Sequence, residues 1–231
     1  MAILGVGLMG SSLALAAKRA GSVDHVVGWS RRESTLKKGL AAGVIDSAEL
    51  DLDQALQGAD CVVIATPTQL AESVLLDVVD RVASDVVVTD VASVKGNLKN
   101  ALEQRYGDVP SNVVLGHPIA GSEKSGVDAA NPDLYCHHNV ILIDEAGSSG
   151  AGHTVDVAML AQVRALWESV GAKVFTLSAS EHDAVLAHTS HLPHLLAFAL
   201  VDQLATSADA ENMFRFAAGG FRDFTRIAGS D

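Results

Sequence analysis

The sequence predicts an α/β protein in which a doubly wound, mostly parallel sheet is followed by a smaller all-α domain. Three observations predict it. Gly5, Gly7 and Gly10 lie between a short apolar run and a helical pattern. Apolar runs and helical periodicity then alternate as far as residue 177, as the strand–helix units of a parallel sheet do. From residue 178 onward the pattern is helical throughout.

A first strand over residues 2–4 is short but wholly apolar, and the glycine turn ends it. The helix expected over 10–20 stops at Gly21, the residue type that best accepts the left-handed conformation after a last turn. Residues 25–29 form the next strand and 33–41 the next helix. Residues 61–65 and Val86-Val87-Val88-Thr89 are continuous apolar or β-branched runs, which suit strands buried on both faces. Helices over 69–83 and 96–106 follow them. Strands over 113–115 and 139–143, a helix over 155–170 and an edge strand over 173–177 complete the domain, with a surface loop at 146–152. Ser180, with Asp183 three residues on, resembles a capping pair and is expected to start the C-terminal helices.

The boundary near residue 178 divides the chain into domains 1–178 and 179–231. The second is too small for a core of its own, so it is expected to pack on a partner. The very short first strand, and an end at Asp231 directly after a motif-like segment, read as trimming at both ends.

Composition narrows the function. Hydrophobic residues make up 48% and charged residues 19% of the 231 positions, which suits a sizeable core. A formal charge of −12 argues against a nucleic-acid partner and against an anionic membrane surface. Cys61 and Cys136 form no paired motif, and Cys61 lies in an apolar run; a reduced, cytoplasmic setting is expected. No basic leader precedes the glycine turn. The apolar run 192–200 is too short to span a bilayer and reads as a core or subunit-interface helix.

The fingerprint Gly5-Val6-Gly7-Leu8-Met9-Gly10 is that of a Rossmann-type dinucleotide site. Gly5 permits the tight turn, Gly7 lets the backbone approach a pyrophosphate, and Gly10 lets helix and strand pack closely. Leu8 and Met9 lie between them, where the helix N-terminus presents free N–H groups. A glycine-rich turn with no ligand is the alternative. The second strand ends in Ser30-Arg31-Arg32 with no carboxylate at its tip. A hydroxyl and two guanidinium groups suit a ribose 2′-phosphate, so NADP is favoured over NAD; solvated charges at a helix start are the alternative. Thr66-Pro67 follows the strand over 61–65 and is placed to line the nicotinamide ribose.

Downstream lie the candidates for a small-molecule substrate. Ser93 and Lys95 follow the strand over 86–89; they read equally as a helix cap and a surface lysine. His117 stands in a loop between Gly116 and Pro118, where histidine serves as an acid–base group near neutral pH. Ser122 and Glu123 belong to the same polar segment. Ser190, His191 and His194 lie around Pro193, with the two histidines three apart on a helix and a kink expected at the proline. A buried histidine bonded to a carbonyl is the alternative for His191. No carboxylate shares that spacing, so no metal is expected. His137 and His138 read as surface residues. Gly219-Gly220 permits close backbone approach, and Arg226 is suited to holding a carboxylate, or else to a surface salt bridge.

Together these segments resemble the prephenate/arogenate (cyclohexadienyl) dehydrogenase family. The residues that carry the resemblance are Gly5–Gly10, Asp90–Lys95, His117-Pro-Ile-Ala-Gly-Ser-Glu-Lys-Ser-Gly126, His182-Asp183, Ser190-His-Leu-Pro-His194 and Gly219–Arg226. The resemblance implies a dinucleotide-binding domain followed by a helical domain that forms a homodimer. It implies that His117 is catalytic and bonds the ring C4 hydroxyl, and that Ser93 helps position it. It further implies that Arg226 binds a substrate carboxylate and that His194 contributes to the substrate site. Family members usually continue with more helices, and NAD-using members carry an acidic residue where this chain has Ser30-Arg31-Arg32. Two other readings remain open here. A dehydrogenase of the β-hydroxyacid type shares the glycine opening but predicts a catalytic lysine in a mid-chain helix. A non-catalytic NADP sensor would bind cofactor without turnover.

Overall fold

The structure is a computed structural model that describes residues 1–145 and 155–229. It divides into two compact units, Met1–Gly121 with Ser125–His182, and Ser122–Lys124 with Asp183–Asp231.

In the first unit, strands β1 (Ala2–Leu4), β2 (Val27–Trp29), β3 (Ser47–Glu49), β4 (Cys61–Ile64), β5 (Val87–Asp90) and β6 (Val113–Val114) form one sheet in the order β3-β2-β1-β4-β5-β6. Every pairing in it is parallel, with Leu4 opposite both Trp29 and Ile64. All residues of β1, β4 and β5 are buried, as the uninterrupted apolar runs require of central parallel strands. Helices α1 (Leu8–Ala20), α2 (Glu33–Ala41), α3 (Leu52–Leu56), α4 (Thr68–Val79), α5 (Gly96–Tyr106) and α6 (Val157–Ser169) accompany the strands. Helix α1 ends at Gly21 with φ +68°, whose N–H donates back into the last turn.

The core contains Ile3, Leu13, Val63, Val114 and Trp167. Tyr135 packs edge-on against Trp167 at 5.0 Å between ring centroids, and its hydroxyl donates to Met9 O at 2.7 Å, near the start of α1. Cys61 is buried, which pushes its thiol up to about 12 and leaves it an inert core residue.

Two expectations need correction, and two elements were not expected. The strands over 139–143 and 173–177 do not extend the main sheet. With β7 (Gly116–Pro118), β8 (Asn139–Ile143) and β9 (Lys173–Leu177) form a second sheet, in which β7 is antiparallel to β8 and β8 parallel to β9. Strand β3 and helix α3 lacked a sequence signal, because Ser47-Ala48-Glu49 has no β-branched residue and α3 spans barely a turn. Asp51 starts α3 by accepting from Gln54 N at 3.0 Å. The C-terminal helix starts two residues before the expected pair. Ser178 and Glu181 form a reciprocal capping box: Ser178 Oγ accepts from Glu181 N at 3.2 Å, and Glu181 Oε2 accepts from Ser178 N at 2.9 Å. The loop expected over 146–152 lies outside the described residues.

Helix α7 (Ala179–Leu186) leads through a π-helical stretch, Ala187–His191, into α8 (Leu192–Ala205). Where a kink was expected at Pro193, the structure has this π-helical stretch just before the proline. Leu192 N–H reaches back five residues to Ala187 O, and the wider turn accommodates a proline that has no N–H. Helices α9 (Ala210–Arg215) and α10 (Gly219–Thr225) follow. Leu195 is 65% exposed, and Leu192, Leu196 and Phe198 are also exposed, so α8 carries apolar surface that one chain leaves uncovered. By length and composition Ala179–Ala205 could cross a membrane, contrary to the expectation from the shorter run. It carries His182, Asp183, His188, His191 and His194, groups that are costly in hydrocarbon.

Candidate active site

The glycine turn is built by contact. Gly5 has φ +109°, and a Cβ there would lie 2.4 Å from Ala65 O. A Cβ on Gly10 would lie 2.3 Å from Gly5 O and 2.7 Å from Ile3 Cγ2, so only glycine lets α1 sit this close to β1. Around Gly7 a Cβ would meet nothing within 4 Å. Gly7 is also the N-cap of α1 and supplies no side chain to its free N–H groups. Open space, uncapped donors and a helix N-terminus coincide at Gly7, Leu8 and Met9, which fits a pyrophosphate.

The tip of β2 adjoins this turn, since Gly5 N–H donates to Trp29 O at 3.0 Å. Ser30 Oγ accepts from Arg32 N at 3.2 Å, which folds the tip back toward α2. Arg31 and Arg32 are exposed, and among the described residues neither joins an ion pair; Glu33 pairs with Lys37 instead. Among the described residues the two guanidinium groups at the β2 tip are thus free of ion pairs. Thr66 and Pro67 follow β4 against Gly5, and Pro67 starts α4. Thr66 Oγ1 is buried without a partner in the structure, a donor and acceptor available to a bound group.

Strand β5 ends at Asp90. Asp90 Oδ2 accepts from Ala92 N at 2.8 Å and forms a fully buried ion pair with Lys95. Asp90 Oδ1 accepts from Gly116 N at 3.0 Å, while Lys95 Nζ donates to Gly116 O at 2.7 Å. The pair thus grips both backbone groups of the residue before His117. Lys95 was expected at the substrate or on the surface; it is completely buried and instead holds the strand that carries His117. Ser93 is half-buried in the turn before α5 and does not cap that helix, which begins after Lys95 without a side-chain cap.

His117 was expected in a loop. It lies within β7, opposite Ile141, and is 9% exposed. Its Nδ1 is 2.8 Å from Nε2 of His182, a completely buried residue of α7, and the rings meet edge-on at 5.1 Å. The sequence motifs include His182 but nothing in them pairs it with His117, 65 positions away. His137 and His138 are exposed, and His138 lies 3.2 Å from Ile119 O.

The second unit holds the other candidates. Arg226 forms an ion pair with Glu123, so the arginine expected to hold a carboxylate and the glutamate expected at the same site lie at one point. Ser122 Oγ accepts from Lys124 N at 3.2 Å. The imidazole of His194 contacts Ser190 O at 2.8 Å through Nδ1, a carbonyl one helical turn back. Of the two histidines it is thus His194, rather than His191, that is tied to backbone. Ser190, His191 and His194 are each half-buried. Among the described residues no group of three or more metal-ligating side chains converges.

A parallel sheet with this glycine turn, and a buried histidine pair in the same unit, define a dinucleotide-dependent dehydrogenase. The chain belongs to the prephenate dehydrogenase family. Residues 13–176 match the family's nucleotide-binding domain and residues 178–231 its dimerization domain. It is 32% identical to the cyclohexadienyl dehydrogenase of Zymomonas mobilis, over 100% of this chain and 76% of that protein. It is 34% identical to the prephenate dehydrogenase of Lactococcus lactis, over 99% of this chain but only 61% of that protein. A crystal structure of prephenate dehydrogenase from A. aeolicus, in complex with hydroxyphenyl propionate and NAD+, superposes with a TM-score of 0.88 at 35% identity, covering 100% of this chain and 78% of that one.

Proposed function

We infer that this chain catalyses the oxidative decarboxylation of prephenate, of arogenate or of both, in tyrosine biosynthesis. The observation that carries this reading is His117: a nearly buried imidazole on a strand gripped by the Asp90–Lys95 pair, in a chain of this family. His117 takes the proton of the C4 hydroxyl as C4 becomes a carbonyl. A bound nicotinamide supplies the hydride acceptor. The C1–carboxylate bond then breaks, CO2 leaves, and its electron pair completes the aromatic ring. The proton on His117 returns to the oxygen at C4. Aromatisation drives the second half, so orientation and exclusion of water are the chain's main tasks there.

Ser93 positions the hydroxyl and His117. Arg226 holds a substrate carboxylate, which takes the place of Glu123 on the guanidinium; Ser122, Ser190, His191 and His194 complete the polar contacts. NADP is the preferred cofactor, on the support of Ser30, Arg31 and Arg32 at the β2 tip. The active form is a cytoplasmic homodimer joined through the C-terminal helices, on the support of the dimerization-domain match and the exposed apolar residues of α8.

The test is reduction of NAD and NADP, each measured with prephenate and with arogenate. Turnover with neither acid would overturn the assignment. His117→Asn should bind cofactor normally and lose about 10²–10⁴-fold in kcat, the usual contribution of a general base. Arg226→Ala should chiefly raise KM.

A further inference from the structure

We propose that His182 is a positioning residue that sets the tautomer of His117. The inference rests on the reading of His117 as the base. Two ring nitrogens 2.8 Å apart share one hydrogen, because two N–H groups would clash and two lone pairs would repel. Histidine 182 accepts at Nε2 from Nδ1–H of His117. A neutral imidazole with its hydrogen on Nδ1 has its lone pair on Nε2, the nitrogen a base must use. When His117 takes up a proton, the bond to His182 becomes charge-assisted and stabilises the imidazolium.

The surroundings make the pair rigid. His182 N–H donates to Ser178 O at 2.9 Å, so the Ser178–Glu181 box that starts α7 also places this imidazole. Ala179 N donates to Glu145 Oε1 at 3.1 Å, which ties the same turn to the end of β8. On the other side, β7 is held by β8 and by the Asp90–Lys95 grip on Gly116. Both rings are removed from bulk water, which otherwise exchanges tautomers freely and would leave much of the base with its hydrogen on the wrong nitrogen.

The experiment uses the full chain labelled with 15N-histidine, with ring nitrogens read by long-range proton–nitrogen correlation above the histidine titration range. His117→Asn identifies the signals. The wild type should show His117 protonated at Nδ1 and bare at Nε2. His182→Gln, whose amide oxygen can accept the same hydrogen, should keep that pattern and stay within about tenfold of wild-type kcat. His182→Leu, which cannot accept, should shift the hydrogen to Nε2 and lose about 10²-fold or more in kcat at unchanged cofactor affinity, as expected when a base is held in the wrong tautomer. A wild-type His117 carrying its hydrogen on Nε2 overturns the proposal, whether or not the leucine variant folds. So does a leucine variant with unchanged tautomer and turnover. The nitrogen signals are read on the resting protein. They decide the pairing even if the wild type turns over neither acid, an outcome that would instead sink the enzymatic reading.

Discussion

Asp90 and Lys95 form an ion pair with neither side chain exposed, and between them they bond both the N–H and the C=O of Gly116. The pair joins the end of β5, in one sheet, to the start of β7, in the other. Removing one partner leaves the other charge buried, at a cost of about 3–5 kcal/mol. Lys95→Met should therefore lower stability by that order in urea unfolding. The double variant Asp90→Leu/Lys95→Met should recover part of it. Both should lose turnover through displacement of His117. A single variant of wild-type stability would show that the pair is not the clamp.

The glycine turn separates folding from binding. Gly7→Ala places its Cβ in open space at φ −98°, which any residue adopts, so the melting temperature should change little. The same Cβ would stand where the pyrophosphate approaches, and the cofactor Kd should rise about tenfold or more, roughly the loss of one or two charged hydrogen bonds. Gly10→Ala drives Cβ into Gly5 O and Ile3 and should destabilise the protein outright. Parallel melting curves and fluorescence titrations distinguish the two.

Arg31 and Arg32 are tested by the difference between cofactors. Each charge-assisted bond to a 2′-phosphate is worth about 1.5–3 kcal/mol. Arg31→Ala and Arg32→Ala should weaken NADP by about 10- to 100-fold and leave NAD within a few-fold. Equal losses for both cofactors would move these residues from specificity to general charge.

Acid should loosen the start of α7. Hydrogen bonds from the Ser178 hydroxyl and backbone N–H hold the Glu181 carboxyl below its usual range. A carboxyl depressed in the folded state stabilises above the unfolded value and loses that contribution as pH falls through the folded one. Ser178→Ala should thus lower the melting temperature at neutral pH, with the gap to wild type closing below the ordinary carboxylate range. A constant gap at all pH values would mean that the box contributes nothing through Glu181's charge.

Legibility in the sequence followed the range of the interaction. The Gly5–Gly10 turn was readable because strand, turn and helix are adjacent in the chain, and Gly21 because a helix end is local. Strand β9 was readable in its extent but not its sheet. Nothing in Lys173–Leu177 records that it pairs with β8, or that β8 turns to meet β7. Lys95, read as facing either substrate or solvent, is buried instead, because a lysine after a strand carries no local sign of a buried partner. Only the neighbouring Asp90 and the carbonyl of Gly116 make its burial affordable in energy.

The sequence by itself determined the alternation of strands and helices, the place of the glycine turn and the histidine motifs, because each depends on residues within a few positions of one another. The tertiary structure alone decided that the strands divide between two sheets, that His117 meets His182, and that Glu123 meets Arg226. Those contacts join residues 65 and 103 positions apart, and they form only once packing has brought separate segments together.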